Sequence, residues 1–174
     1  GCIAAIRNYR CIVVMPENTN RERQWMLSMF GVETVFTPSH LGMQGAVDEA
    51  EKLSTEIKGA VMLKQFDNEA NAAVHEQTTA EEIWEDTEGK VDLFIAGVGS
   101  GGTVTGVARG LKNRKKSIKI VAVEPASSPV LSGGCCGQHM IMGLGAGFVP
   151  SIYDANLIDE IVQVGDEEAV IWAK

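Results

Sequence analysis

An apolar run, a burst of glycine and an immediate helical pattern meet at Gly97-Val98-Gly99-Ser100-Gly101-Gly102-Thr103, and few folds accommodate that junction. Val91-Asp92-Leu93-Phe94-Ile95-Ala96 reads as a buried strand entering the glycines, and Thr103 to Leu111 as a helix leaving them. A strand that turns through glycine into a helix aims main-chain N–H groups and the positive end of the helix dipole at one point, which suits a phosphate dianion. Glycine lets the backbone take positive φ and approach closely. Ser100, Thr103 and Thr105 can add hydroxyl donors. No lysine follows the glycines, so this is not a Walker loop. Gly97, Gly99 and Gly102 satisfy the dinucleotide fingerprint, with Glu124 as the acidic residue about 20 positions on. From these residues alone, a phosphate site, a dinucleotide site and a tight turn without a ligand all stay open.

Strand and helix patterns alternate on both sides of the junction. Residues 2–8 read as a helix tail, and Cys11 to Met15 as a strand ended by Pro16. Asn18 to Phe30 reads as a helix capped by Asn18 or Thr19 and stopped at Gly31. Val35 and Phe36 form a strand ended by Pro38, Gly42 to Ile57 an amphipathic helix, and Ala60 to Leu63 a further strand. Gln65-Phe66-Asp67-Asn68 is rich in turn formers and marks a lobe boundary. Thr78 or Thr79 caps a helix carrying Ile83 and Trp84, and Ile118 to Val123 is a strand ended by Pro125. Such alternation predicts an α/β fold of parallel sheets covered by helices on both faces.

Composition removes several function classes. Fifteen Lys+Arg against 23 Asp+Glu give a net charge of −8, without the basic footprint that nucleic acid or anionic lipid requires. The basic run Lys112 to Lys116 reads as a solvated helix end that complements the dipole. No apolar run approaches the roughly 18–20 residues that span a bilayer. The four cysteines, at 2, 11, 135 and 136, form no CxxC pair and no disulfide framework, so reduced thiols and a cytoplasmic setting are expected, and no metal site.

Outside the glycine loop, chemistry is sparse. Gln65 follows a strand pattern, where a side-chain amide would face a ligand crevice, or simply hydrogen-bond in a turn. Gly143-Leu144-Gly145-Ala146-Gly147-Phe148-Val149-Pro150 must be a loop whose backbone closely approaches a ligand or another segment. His40, His75 and His139 read as structural or solvated, and no Ser/His/Asp grouping supports nucleophilic hydrolysis.

Read together, the motifs resemble one family. Gly99-Ser100-Gly101-Gly102-Thr103 is similar to the GTGGT phosphate loop of the cysteine synthases, the O-acetylserine sulfhydrylases, which are pyridoxal-phosphate enzymes of fold type II. Met15-Pro16-Glu17 with Arg21-Glu22-Arg23 resembles MPE…ERR, and Gln65 to Asn68 resembles the start of QFxNPANP. His75 to Thr79 with Glu82-Ile83-Trp84 resembles HExTTxxEIW, Val121 to Pro125 resembles VAVEP, and Gly143 to Pro150 resembles GIGAGFIP. The matches run collinearly through essentially the whole chain.

The resemblance implies a two-lobed, parallel-sheet-rich three-layer fold, with residues 1–68 as an incomplete small mobile lobe and 69–174 as an incomplete large cofactor-binding lobe. It implies cysteine formation from O-acetylserine and sulfide, pyridoxal 5'-phosphate as cofactor and a homodimer. Gly99, Ser100, Gly101, Gly102 and Thr103 would hold the cofactor's phosphate, while Gln65, Gly143 and Ala146 would bind substrate. The family's Schiff-base lysine would lie upstream of Gly1 and the serine that meets the pyridine nitrogen beyond Lys174, so the chain reads as an internal fragment, inactive alone. Lys64 matches no Schiff-base motif, and no residue here is assigned a catalytic role. Cystathionine β-synthase, which uses a similar glycine loop, and a non-catalytic binding or regulatory homologue are the alternatives. Glu69 and Ala72 replace family prolines. Gly133 to Met140 resembles GGKPGPHK with its lysines replaced by Cys135 and Met140, which counts against docking of serine acetyltransferase there.

Overall fold

The computed structural model describes residues 1–173. They fall into two compact units, Gly1–Met62 and the remainder from Leu63 onward.

In the first unit, α1 (Cys2–Ile6) precedes β1 (Ile12–Pro16), α2 (Arg21–Met29), β2 (Glu33–Thr37) and α3 (Gly42–Glu56). The β-branched run Ile12-Val13-Val14 favours a strand, and β1 pairs with β2 in parallel, Val14 opposite Val35. Arg10 Nε and Nη2 donate to the two oxygens of Glu33 at 2.7 and 2.8 Å, closing the strand entry. The cap of α2 is Asn20, whose side chain accepts from Arg23 N at 3.3 Å, rather than Asn18 or Thr19. Thr19 is instead drawn into the preceding turn, its N–H donating to Pro16 O.

The second unit holds the sheet that matters for the site. Helices α4 (Ala70–Val74) and α5 (Ala80–Asp86) run on through a π-helical turn, His75–Thr79. They are followed by β3 (Leu93–Gly97), α6 (Gly102–Arg114), β4 (Lys119–Pro125), β5 (Glu160–Val164) and α7 (Asp166–Trp172). The strands lie in the order β3-β4-β5, all parallel, with Ile95 opposite Val121 and Val123 opposite Val162. Parallel neighbours require a crossover, and α6 supplies the one between β3 and β4. Its Val104, Val107, Ala108 and Leu111 meet Ile118, Ile120 and Ala122 in the core.

On its other side α6 meets the α4–α5 rod. Gly106 and Gly110, four apart and hence on one helix face, leave no room for a Cβ: it would collide with Ala72 O at the first and Ala80 Cβ at the second. That packing explains two glycines inside a helix, where each costs roughly 0.5–1 kcal/mol against alanine. The far end of α6 is less solvated than its basic composition implies. Lys112 pairs with Asp159 at 2.7 Å, Arg114 pairs with Glu81 and lies over the Trp84 ring, and Lys115 pairs with Asp92 at 2.6 Å.

Four differences from the sequence pattern have physical reasons. No strand forms over 60–63: the segment has no neighbouring strand among the described residues, and Val61 and Leu63 are exposed. The helix expected from Thr78 or Thr79 starts at Ala70, and those threonines sit inside it. β5 is an added strand that pairs with β4. Among the described residues, the face of β3 opposite α6 leaves Leu93 and Ile95 exposed. The division at Met62–Leu63 falls before the turn-rich segment 65–68, because Phe66 is buried within the second unit, edge-on to Phe148 at 4.9 Å between ring centroids.

Candidate functional site

The glycine loop emerges where β3 ends. Val98 is tied down on both sides, its N–H donating to Val123 O at 2.9 Å and its carbonyl accepting from Gly145 N at 3.0 Å. Gly101 then takes φ +87°, a left-handed conformation natural to glycine, and α6 starts at Gly102. Among the described residues, no main-chain carbonyl takes the N–H groups of Gly99, Ser100 or Gly101. The first N–H groups of a helix have no intrahelical partner either. The loop thus presents free donors at the positive end of a 13-residue helix. No acidic side chain stands in the loop, and the donor set fits a phosphate dianion.

Two glycines of the run serve another purpose. A Cβ on Gly97 would come within 2.7 Å of Leu144, and one on Gly99 would overlap Gly143 O. The segment Gly143–Pro150 therefore packs directly on the glycine loop, and the close approach demanded by its composition is to that loop. His139 holds it there: Nε2 lies 3.1 Å from Gly145 O. A carbonyl only accepts, so Nε2 carries the proton. Nδ1 is left buried without a partner among the described residues.

The hydroxyl groups divide. Ser100 Oγ meets Asn71 Nδ2 at 2.9 Å, and Thr103 is exposed with Oγ1 3.2 Å from His75 Nε2. Thr105 does not join them; it is fully buried, and its hydroxyl accepts from Asp154 N at 3.2 Å. Glu124, the candidate ribose acceptor, is also committed elsewhere. Its buried carboxylate accepts from Leu131 N at 2.8 Å, Ser132 N at 3.1 Å and Ser132 Oγ at 2.6 Å. That bonding removes the feature a dinucleotide site requires.

Gln65 sits in a turn after an irregular segment, not at the end of a sheet strand. Its side chain is exposed, and its carbonyl accepts from Asn71 Nδ2 at 2.9 Å. The next residue, Phe66, packs on Phe148, and Ser151 Oγ lies 2.7 Å from Asp67 Oδ1. Gly143 is exposed at φ +94° with open space around it. Ala146 lines a small pocket with Val98, Gly99, Glu124 and Phe148. Asn71 and His75 are the two polar residues that sequence reasoning did not single out for this site. The π-helical turn that begins at His75 is the kind of helix irregularity frequent at functional sites.

Comparison with known proteins agrees with this geometry. The family model for pyridoxal-phosphate dependent enzymes matches residues 1–174. The chain is 46% identical over 171 residues to the cysteine synthase of Flavobacterium sp., covering 98% of this chain and 56% of that protein. It is similar to the crystal structure of cysteine synthase from Entamoeba histolytica, with a TM-score of 0.87 and 45% identity over 95% of this chain and 49% of the other. It is also similar to the O-acetylserine dependent cystathionine β-synthase of Helicobacter pylori, with a TM-score of 0.93 and 35% identity over 98% and 56% of the two chains. The chain spans about half the length of these relatives.

Proposed function

The chain belongs to the pyridoxal-phosphate dependent enzyme family, and from that premise we propose that the full-length protein makes cysteine from O-acetylserine and sulfide. The observation that carries this reading is the loop Gly99–Thr103: uncommitted N–H groups, a left-handed Gly101 and two hydroxyl side chains at one helix N-terminus. Its sequence context is 46% identical to a cysteine synthase.

In this reading Gly99, Ser100, Gly101, Gly102 and Thr103 hold the cofactor's phosphate. Bound pyridoxal phosphate supplies the electron sink that eases removal of the substrate's α-proton and departure of acetate. Gln65 offers its exposed amide to the substrate carboxylate, and Gly143 and Ala146 leave room for the small substrate side chain. The first unit, Gly1–Met62, serves as a small mobile lobe and the second as much of the cofactor lobe. No lysine here stands in the family's Schiff-base motif, so the 174 residues alone form no cysteine. The working protein is a homodimer. A cytoplasmic setting fits the four cysteines, all free thiols. No helix among the described residues is long and apolar enough to cross a membrane. Serine acetyltransferase is not assigned as a partner, because exposed Cys135 and Met140 offer it no charge.

The test is direct. The full-length protein should take up one pyridoxal phosphate per chain and release cysteine from O-acetylserine and sulfide. Full cofactor loading without turnover of that pair would overturn the assignment. The similarity to the Helicobacter pylori structure supports a second reading, in which a bulkier thiol replaces sulfide; offering sulfide and the larger thiol in competition separates the two.

A further inference from the structure

One side-chain nitrogen ties the glycine loop to the segment of Gln65. Asn71 Nδ2 lies 2.9 Å from Gln65 O and 2.9 Å from Ser100 Oγ, 29 residues further along the chain. The carbonyl of Gln65 can only accept, so the amide nitrogen must face it, and its two protons serve the two partners. Ser100 Oγ is therefore an acceptor in this pair. Its own proton is left over, and among the described residues Ser100 Oγ meets no other protein group. The amide cannot swing aside. A Cβ on Gly102 would collide with Oδ1, Cγ and Nδ2 of Asn71, so the first residue of α6 lies flat against the amide. From below, Asn71 N donates to Asn68 O at 2.9 Å.

We propose that Asn71 is a positioning residue of the phosphate loop: it fixes the polarity of the Ser100 hydroxyl, so that the hydroxyl donates to a phosphate monoester dianion, and it keeps that loop in register with the Gln65 segment. The proposal rests on the reading that residues 99–103 hold the cofactor's phosphate. Alanine at 71 leaves Ser100 free to rotate. Aspartate at 71 has no proton to give; it draws the Ser100 proton away from the anion and places a negative charge beside it.

Calorimetric titration of the full-length protein with pyridoxal 5'-phosphate and with inorganic phosphate tests this. Ser100→Ala should weaken both ligands about 10- to 100-fold, the worth of one hydrogen bond to a charged group. Asn71→Ala should show most of that loss, and Asn71→Asp more than Ser100→Ala. The double variant Asn71→Ala/Ser100→Ala should bind no more weakly than Ser100→Ala, because both changes remove one interaction. Additive losses, or wild-type affinity in Asn71→Asp, overturn the proposal. A wild type that takes up neither ligand removes the phosphate reading itself, and this proposal with it. Where the Asn71 variants do not fold, the side-chain amide signal of Asn71 in the wild type decides by nitrogen NMR. It should shift in step with the Ser100 main-chain amide as phosphate is added, and a stationary Asn71 signal overturns the proposal.

Discussion

His75 Nε2 lies 3.2 Å from Thr103 Oγ1, joining the π-helical turn of one helix to the first turn of the next. The other ring nitrogen, Nδ1, lies 2.8 Å from Thr79 Oγ1. The ring is thus held between two hydroxyls, and the direction of each hydrogen bond follows from where the ring proton sits. For Thr103 to give its proton to a bound phosphate, Nε2 must be the donor toward Oγ1, and Nδ1 then accepts from Thr79. Phosphate binding should therefore settle His75 in the Nε2–H form, which nitrogen NMR of a histidine-labelled protein reads directly. Thr103→Val should weaken phosphate binding by about 10- to 100-fold, from roughly 1.5–3 kcal/mol for a hydrogen bond to a charged group. An unchanged affinity would show that Thr103 does not touch the anion.

Gly101 and Gly102 should fail for different reasons when replaced by alanine. At Gly101 the backbone itself is the obstacle, since φ is +87°. A left-handed non-glycine residue costs roughly 1–2 kcal/mol, so Gly101→Ala should lower unfolding stability by about that amount in urea titration. Gly102 has no such φ; its Cβ would strike the Asn71 amide. Gly102→Ala should therefore lose phosphate affinity about 10-fold through displacement of the Ser100 partner. Equal phosphate affinity in Gly102→Ala and wild type would contradict the contact.

Much of the second unit was legible in the sequence because local pattern and tertiary role agree there. The run into Gly97 and the pattern after Thr103 need nothing remote to become β3 and α6. Where pairing decides, the pattern misleads. Ala60 to Leu63 is as apolar as β3 but finds no neighbouring strand among the described residues, whereas Glu160 to Val164 becomes a strand through its register with Val121 to Pro125. Strand propensity measures fit to a pleated neighbour more than a backbone preference. The site shows the same division. Gly99 to Thr103 is contiguous and readable, but the value of Asn71 depends on Ser100 and Gln65 meeting one nitrogen, and Thr105 is lost to the core because Asp154 folds back onto it.

Asp159 predicts an acid-sensitive join between α6 and the sheet. Lys112 Nζ donates to its two oxygens at 3.0 and 2.7 Å, and Ile120 N donates to Oδ2 at 2.7 Å. The Lys112 hydrogen bond first, and the Ile120 N–H next, hold its carboxyl below the usual aspartate range. A lowered folded-state pKa contributes stability above the unfolded value, and that contribution is lost as pH falls through the folded value. Asp159→Asn should lower the urea midpoint at pH 7 and flatten the loss of stability on acidification below about pH 4. Parallel wild-type and variant curves through that range would remove Asp159 from the acid response.

Tyr153 carries the last expectation. It is 9% exposed, packs in the core with Val98 and Val104, and its hydroxyl has no hydrogen-bond partner among the described residues. Burial first, and the negative charge of Glu124 second, push the phenol above its ordinary pKa of 10.0. A buried, unsatisfied polar group costs about 1–3 kcal/mol, and deleting it leaves only a small gap. Tyr153→Phe should therefore raise unfolding stability by about 1 kcal/mol at neutral pH, measured by urea denaturation. The sign at high pH follows from linkage. A raised folded-state pKa contributes stability below the unfolded value, and that contribution is lost as pH rises through the folded value. The wild type should weaken above about pH 10 in a way that the phenylalanine variant does not. Absorbance titration supplies an independent readout, in which Tyr153 should ionise above the ordinary phenol range. A destabilised Tyr153→Phe with an unchanged alkaline limb would mean that the hydroxyl contributes a favourable hydrogen bond.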